Sequence, residues 1–215
     1  MAAALRRNSP TPVLETGRLR LRGFSDADRP AYTALRSDPD VVRYLVGGEA
    51  LIPFAAQIAE SRIAGFREAW TAGFGVWAVE ERATGRFIGQ AGLTRLGRSS
   101  DVEVLYAFER RAWGRGYARE AVRAVLGFAF ETVLLRRVVG FVMPQNRASI
   151  RVLDATGFAA SGPRSFNGFS VLGFAITAEA WAANRGEQSV GQGEHVGMIG
   201  HDLQDHGSGS WAPGS

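Results

Sequence analysis

Two glycines flank an arginine at Gly114-Arg115-Gly116, between an alternating apolar segment, Val102 to Phe108, and a run with Ala118, Ala121, Val122, Val125, Leu126 and Ala129 at helical spacing. Glycine lets backbone N–H groups come close to a bound group, and the start of a helix favours an anion. The N–H groups from Gly114 through Tyr117 to Ala118 are therefore candidate phosphate donors, with the Arg115 cation beside them. Arg111 is a second candidate cation, or a solvated loop residue. A plain strand-to-helix turn would account for the same glycines. A dinucleotide fingerprint needs Gly or Ala where Arg119 stands, and a P-loop needs a lysine. Glu103 shares a strand face with Leu105 and Ala107, which makes it a partly buried carboxylate suited to proton transfer or an acid that points to water.

The composition removes other chemistry. The chain has 215 residues with 46% hydrophobic and 21% charged, the balance of one globular domain. All 25 basic residues are arginine and there is no cysteine, so Schiff-base lysines, thiol nucleophiles, disulfides and cysteine metal sites are excluded. The three histidines, His195, His201 and His206, fall in a glycine-rich stretch from Arg185 to Ser215 that lacks periodicity and reads as a disordered tail. Upstream of it, 24 arginines against 17 acids leave a net +7, which suits an anionic partner. No segment resembles a signal peptide or a membrane span, so a cytoplasmic protein is expected.

Thr16 to Arg22 alternates as a strand whose arginine face is solvated rather than a nucleic-acid patch, since no aromatic residues interleave. Ser25 to Asp28 starts a helix that Asp38-Pro39 stops, and Pro53 opens an amphipathic run through Trp70. Val76–Val79 and Phe87–Leu93 flank the turn Arg82 to Gly85 as a hairpin. After the strand at 102–108 and the helix that follows come a strand from Val138 to Met143, a short helix from Asn146 to Thr156, two strands around Phe166-Asn167-Gly168, and a helical turn at Thr177–Trp181. This order argues an α/β fold with a mixed sheet.

Trp113-Gly114-Arg115-Gly116-Tyr117-Ala118 resembles the pyrophosphate turn of the GNAT superfamily of acyl-CoA-dependent N-acyltransferases, and the resemblance continues on both sides. Leu14 to Arg22 is similar to the T-x-R-L-x-L-R opening of the branch that acetylates ribosomal-protein N-termini (alanine/serine), and Asn146 to Leu153 followed by Gly157-Phe158 is similar to its N-x-x-S-x-R…G-F helix. The match spans about residues 14 to 183. It implies the GNAT fold, a mixed, mostly antiparallel sheet flanked by helices, in a domain over 14–184 between an N-terminal extension, 1–13, and the tail, 185–215. It also implies acetyl-CoA as acyl-donor cosubstrate, no metal, and an amine acceptor, either a protein or peptide N-terminus or a small molecule. No nucleic acid or membrane partner is expected, and the protein would act as a monomer or homodimer.

The resemblance assigns further roles. N–H groups of Leu105, Tyr106 and Ala107 would hold the thioester oxygen, and Asn146 would touch the pantetheine arm, although it also sits where a helix N-cap belongs. Trp113 replaces the usual Gln or Arg, so its side chain gives no phosphate contact. Leu153 stands where many members carry a tyrosine acid, which leaves Ser149, or water, to protonate the thiolate. Without cysteine the amine attacks directly in a ternary complex. An α-amino group is mostly protonated at neutral pH, so a base is needed, and with no histidine in the folded part Glu103 is the candidate. Loops 46–53, 95–100 and 161–170 are expected to bind the acceptor. A non-catalytic acyl-CoA sensor is the main alternative, and an arginine-rich nucleic-acid binder is another.

Overall fold

A computed structural model describes residues 11–97, 100–166 and 168–190, with side chains through Arg185. Strand β1 (Leu14–Glu15) turns into β2 (Leu19–Arg22) instead of forming one strand from Thr16, because the Thr16 N–H and hydroxyl both close on the Leu19 carbonyl at 2.9 and 3.3 Å. The capping box expected at Ser25-Asp28 is present ahead of α1 (Arg29–Ser37). Asp38 then caps a short α2 (Pro39–Val42). Pro53 lies inside a 3-10 turn, and α3 (Ala55–Ala69) begins after it.

The hairpin of β3 (Val76–Glu81) and β4 (Arg86–Arg95) leads to β5 (Val102–Phe108) and α4 (Tyr117–Gly127), which ends in a π turn over Phe128–Thr132. β6 (Arg137–Val142), α5 (Arg147–Ala155), β7 (Ala159–Phe166), β8 (Phe169–Thr177) and α6 (Ala178–Val190) complete the order. The eight strands form one sheet, β1-β2-β3-β4-β5-β6-β8-β7, antiparallel everywhere except between β5 and β6. This is the mixed, mostly antiparallel sheet flanked by helices that the sequence implies.

Alternation along the strands builds a core on each face. Val102, Val104 and Phe108 face α4, together with Trp77 and Val79. Leu105 and Ala107 face α1 and α3, where Phe24, Tyr32, Leu35, Ile63 and Phe66 pack. Among the described residues no helix is long and apolar enough to cross a membrane.

The C-terminal end corrects the sequence reading. The expected single helical turn is a helix reaching Val190, past the boundary drawn at 184, and residues 191–215, with all three histidines, lie outside the described residues. Trp181 explains the helix. Its ring is 8% exposed, packs 6.1 Å from Phe130, and donates its indole N–H to Glu131, which also pairs with Arg185. Trp181→Ala is expected to cost about 3 kcal/mol, a fall of roughly 10 °C in melting temperature by calorimetry. A change of under 2 °C would show that α6 does not belong to the core.

Candidate active site

β5 is paired with β4 along its whole length, from Arg95↔Val102 to Gly89↔Phe108. On its other edge only Glu103↔Val139 pairs with β6, and beyond that point the two strands diverge. The Glu109 N–H donates to Ile88 of β4 at 2.9 Å, and amides alternate along a strand, so Ala107 and Leu105 also direct their N–H groups to β4. Of the three amides expected to face the ligand, Tyr106 alone turns its N–H and C=O toward the gap. The N–H groups of Leu105 and Ala107 are used within the sheet.

Past the gap lies the glycine loop. Gly114 and Gly116 sit at φ of +71° and +77°, a left-handed conformation that glycine adopts without strain. No side chain caps α4, so the N–H groups of its first turn are free to donate to an anion. The cations expected there are already engaged. Arg115 pairs with Glu81 at 2.9 Å and lies over the Tyr117 ring at 4.7 Å, and Arg111 pairs with Glu109 at 2.8 Å. Trp113 donates its indole N–H to the Phe108 carbonyl at 2.8 Å, which fastens the loop to the end of β5. Tyr117 donates to Glu81, and this bond, then one from Thr84, holds the Glu81 carboxyl below its ordinary range.

The loop is held by a residue that sequence reasoning left on a solvated face. Arg18 donates to the Arg115 carbonyl at 2.8 Å, pairs with Glu120 at 2.6 Å, and also lies over the Tyr117 ring at 4.7 Å. Thr16 joins it, its hydroxyl 2.6 Å from Glu120. Further along, Arg22 bridges Asp28 and Glu80, so the arginine face of β2 is paired and not merely solvated. Arg18→Ala is expected to weaken acetyl-CoA binding several-fold and to cost about 1 kcal/mol, since the side chain is half exposed. Arg115→Gln should change affinity less than about twofold. Calorimetry with acetyl-CoA decides between them, and the reverse ranking would return Arg115 to the role of phosphate ligand.

Glu103 opens on a cleft of about 620 Å³ against the α1/α3 face of the sheet. Burial alone pushes its carboxyl up to about 7, with no cation offsetting the cost. Ser149 and Asn146 reach the same cleft from α5. Asn146 is the N-cap, its side-chain oxygen accepting from the Ser149 N–H at 3.1 Å. The Ser149 hydroxyl lies 2.7 Å from the Tyr106 hydroxyl. Burial raises Tyr106 to about 12, the Ser149 bond opposing the rise, so the phenol stays protonated throughout the neutral range. Leu153, one turn further along α5, is buried. The expected acceptor loops contribute Val46, Leu96, Gly97, Phe166 and Phe169, while Arg36, Arg62 and Phe66 come from α1 and α3, which sequence reasoning left out of the site.

The open edge of β5, the uncapped glycine-rich start of α4 and the buried Glu103 carboxylate follow one another along the chain, and its relatives are acetyltransferases. Residues 18–159 match the family model described as an acetyltransferase (GNAT) domain, so the chain belongs to the GNAT acetyltransferase family. The N-acetyltransferase YoaA of Bacillus subtilis, itself uncharacterized, is 33% identical over 70% of this chain and 85% of its own length. An acetyltransferase structure from Agrobacterium tumefaciens is 31% identical, with a TM-score of 0.66 over 79% of this chain and 96% of its own. RimJ of Mycobacterium smegmatis, solved with CoA-disulfide, shares the fold at 22% identity, with a TM-score of 0.63 over 82% and 93% of the two chains.

Proposed function

We propose that this protein transfers an acetyl group from acetyl-CoA to a primary amine, of a protein or peptide N-terminus or of a small molecule, by direct attack in a ternary complex. The observation that carries this reading is the divergence of β5 and β6, which leaves the Tyr106 peptide unpaired between the glycine loop and Glu103. The pyrophosphate would sit on the N–H groups from Gly114 to Ala118. The pantetheine arm would run along the open edge of β5, supplying the hydrogen bonds that β6 no longer makes, with Asn146 alongside. Glu103, ionised above about 7, takes the proton from the acceptor ammonium, through a water, and frees the lone pair for the thioester carbon. The Tyr106 N–H faces the oxygen that becomes an oxyanion. As the C–S bond breaks, the thiolate takes a proton from the Ser149 and Tyr106 hydroxyl pair, and the pair is refilled from solvent.

A thiol-release assay tests the reading. Free CoA is expected only when acetyl-CoA and an amine are both present. Binding of acetyl-CoA with no release across a broad amine panel would make the protein a sensor of acyl-CoA, and the transfer reading would fall.

A further inference from the structure

Arg36 of α1 is 6% exposed, and no carboxylate pairs with it among the described residues. Its Nε is buried without any acceptor. By contrast Arg22, the other largely covered arginine of this region, is matched by two acids, Asp28 and Glu80. The charged and titratable neighbours of Arg36 are the Tyr32 phenol and Arg62, a second cation that opposes it, and burial, the largest effect, makes its charge harder to keep. Arg36 thus brings a cation to the wall of the cleft with its Nε buried and no anion against it, a place that an anionic ligand would fill.

The guanidinium lines the same cleft as Glu103. Gln90 lines it too, and its side-chain oxygen is the other orphaned buried polar atom among the described residues. Gln90 pairs in register with Ala78 and Ala107, whose side chains face α1 and α3, which places the amide on the sheet floor of the cleft that Arg36 lines. Whichever end of the amide points inward, a polar group there lacks its partner. Around the cleft two arginines, Arg36 and Arg62, stand against one carboxylate, Glu103, while the Arg95 guanidinium lies over the Phe74 ring on the other face of the sheet. Glu103 is paired with Thr94, four residues along β4 from Gln90, so the acid and the Gln90 amide lie about 13 Å apart along the strand, toward different ends of the cleft.

We infer that the acceptor amine carries a carboxylate, which seats on Arg36 beside Gln90 while its ammonium group meets Glu103. A carboxylate supplies two acceptors in the plane of a guanidinium and the charge that Arg36 lacks. Polycationic amines are disfavoured by Arg36 and Arg62. This deepens the acetyl-transfer reading and rests on it, and the spacing favours an amino acid whose two charged ends lie several bonds apart, or a short peptide, over glycine.

The test is a paired panel with acetyl-CoA: 4-aminobutyrate, 6-aminohexanoate, phenylalanine and glycylphenylalanine, each beside its carboxamide, with spermidine as the polycation. In the best pair the carboxylate is expected to show at least tenfold higher kcat/KM than its carboxamide. Arg36→Met should erase that preference, lowering the carboxylate rate tenfold or more and the carboxamide rate less than twofold, with acetyl-CoA affinity unchanged. The variant without ligand should also melt higher than wild type, because an unpaired buried charge is gone. Arg36→Gln reads the same preference should Met not fold. Equal rates within every pair, spermidine as the best acceptor, or a preference that survives in the Arg36 variants would overturn the inference. Should no amine release thiol, the transfer reading fails on its own, and melting decides this one: the carboxylates raise the melting temperature of wild type but not of Arg36→Met, or they raise neither and no carboxylate site exists.

Discussion

Glu103→Gln lowers turnover about 10²- to 10⁴-fold with any accepted amine and leaves acetyl-CoA affinity within about twofold. The wild-type rate should rise with pH through about 7, where the buried carboxyl ionises, and the variant should lose that acidic limb. Stability moves in the opposite sense. The folded protein holds the Glu103 proton more tightly than the unfolded chain, whose carboxyl titrates near 4.5, so Glu103 does not destabilise at pH 4 and becomes progressively unfavourable as pH rises through 7. At pH 8 the variant should therefore be the more stable protein by about 2 to 3 kcal/mol, and near pH 4 the two should melt together. Turnover profiles and melting curves at both pH values are the measurements. Full activity with an unchanged acidic limb would place the base elsewhere, and an equal stability gap at both pH values would mean that Glu103 stays ionised and is not desolvated.

Gly116→Val should weaken acetyl-CoA binding at least tenfold, and Gly114→Val with it at least a hundredfold. A Cβ at Gly114 would meet nothing within 4 Å, and one at Gly116 only the Arg18 guanidinium at 3.4 Å, so packing does not require glycine at either position. The requirement is conformational and spatial. A β-branched residue at φ near +75° costs about 1 to 3 kcal/mol, and its side chain would project into the space through which a phosphate reaches the first turn of α4. Titration calorimetry with acetyl-CoA, beside circular dichroism to show an intact fold, decides. Affinity within threefold of wild type in the double variant would remove the loop from the binding site.

The order of strands and helices could be read from period and punctuation, since β3, β5 and β6 alternate or are largely apolar, and Gly157 and Pro144 stand at ends. The glycine loop and Glu103 could also be read, because φ and strand face are local properties that a short segment carries. What escaped depends on distance in the chain. Arg18 and Glu120 are 102 residues apart, and nothing in Arg18-Leu19-Arg20-Leu21-Arg22 distinguishes an arginine that clamps a loop from one facing water. The Arg115 ion pair was hidden for the same reason, because its partner Glu81 is 34 residues away. Alternation along β5 puts Tyr106 on the face opposite Glu103, and its hydroxyl gains a use only because α5 brings Ser149 to it. Arg36 reads as the last-turn cation of an ordinary amphipathic helix until α1 is packed on the sheet.

The isolated bridge between Glu103 and Val139 also has a mechanical meaning. Strands β1 to β5 and strands β6 to β8 are two half-sheets, each continuously laddered, whose main-chain seam is a single register pair. A thioester arm lying in that seam would act as a ninth strand, tying the halves together through its own amides and transmitting any strain between them. The cosubstrate would then be part of the scaffold while it is bound, and its departure as CoA would loosen the joint across which the acetylated product has to leave.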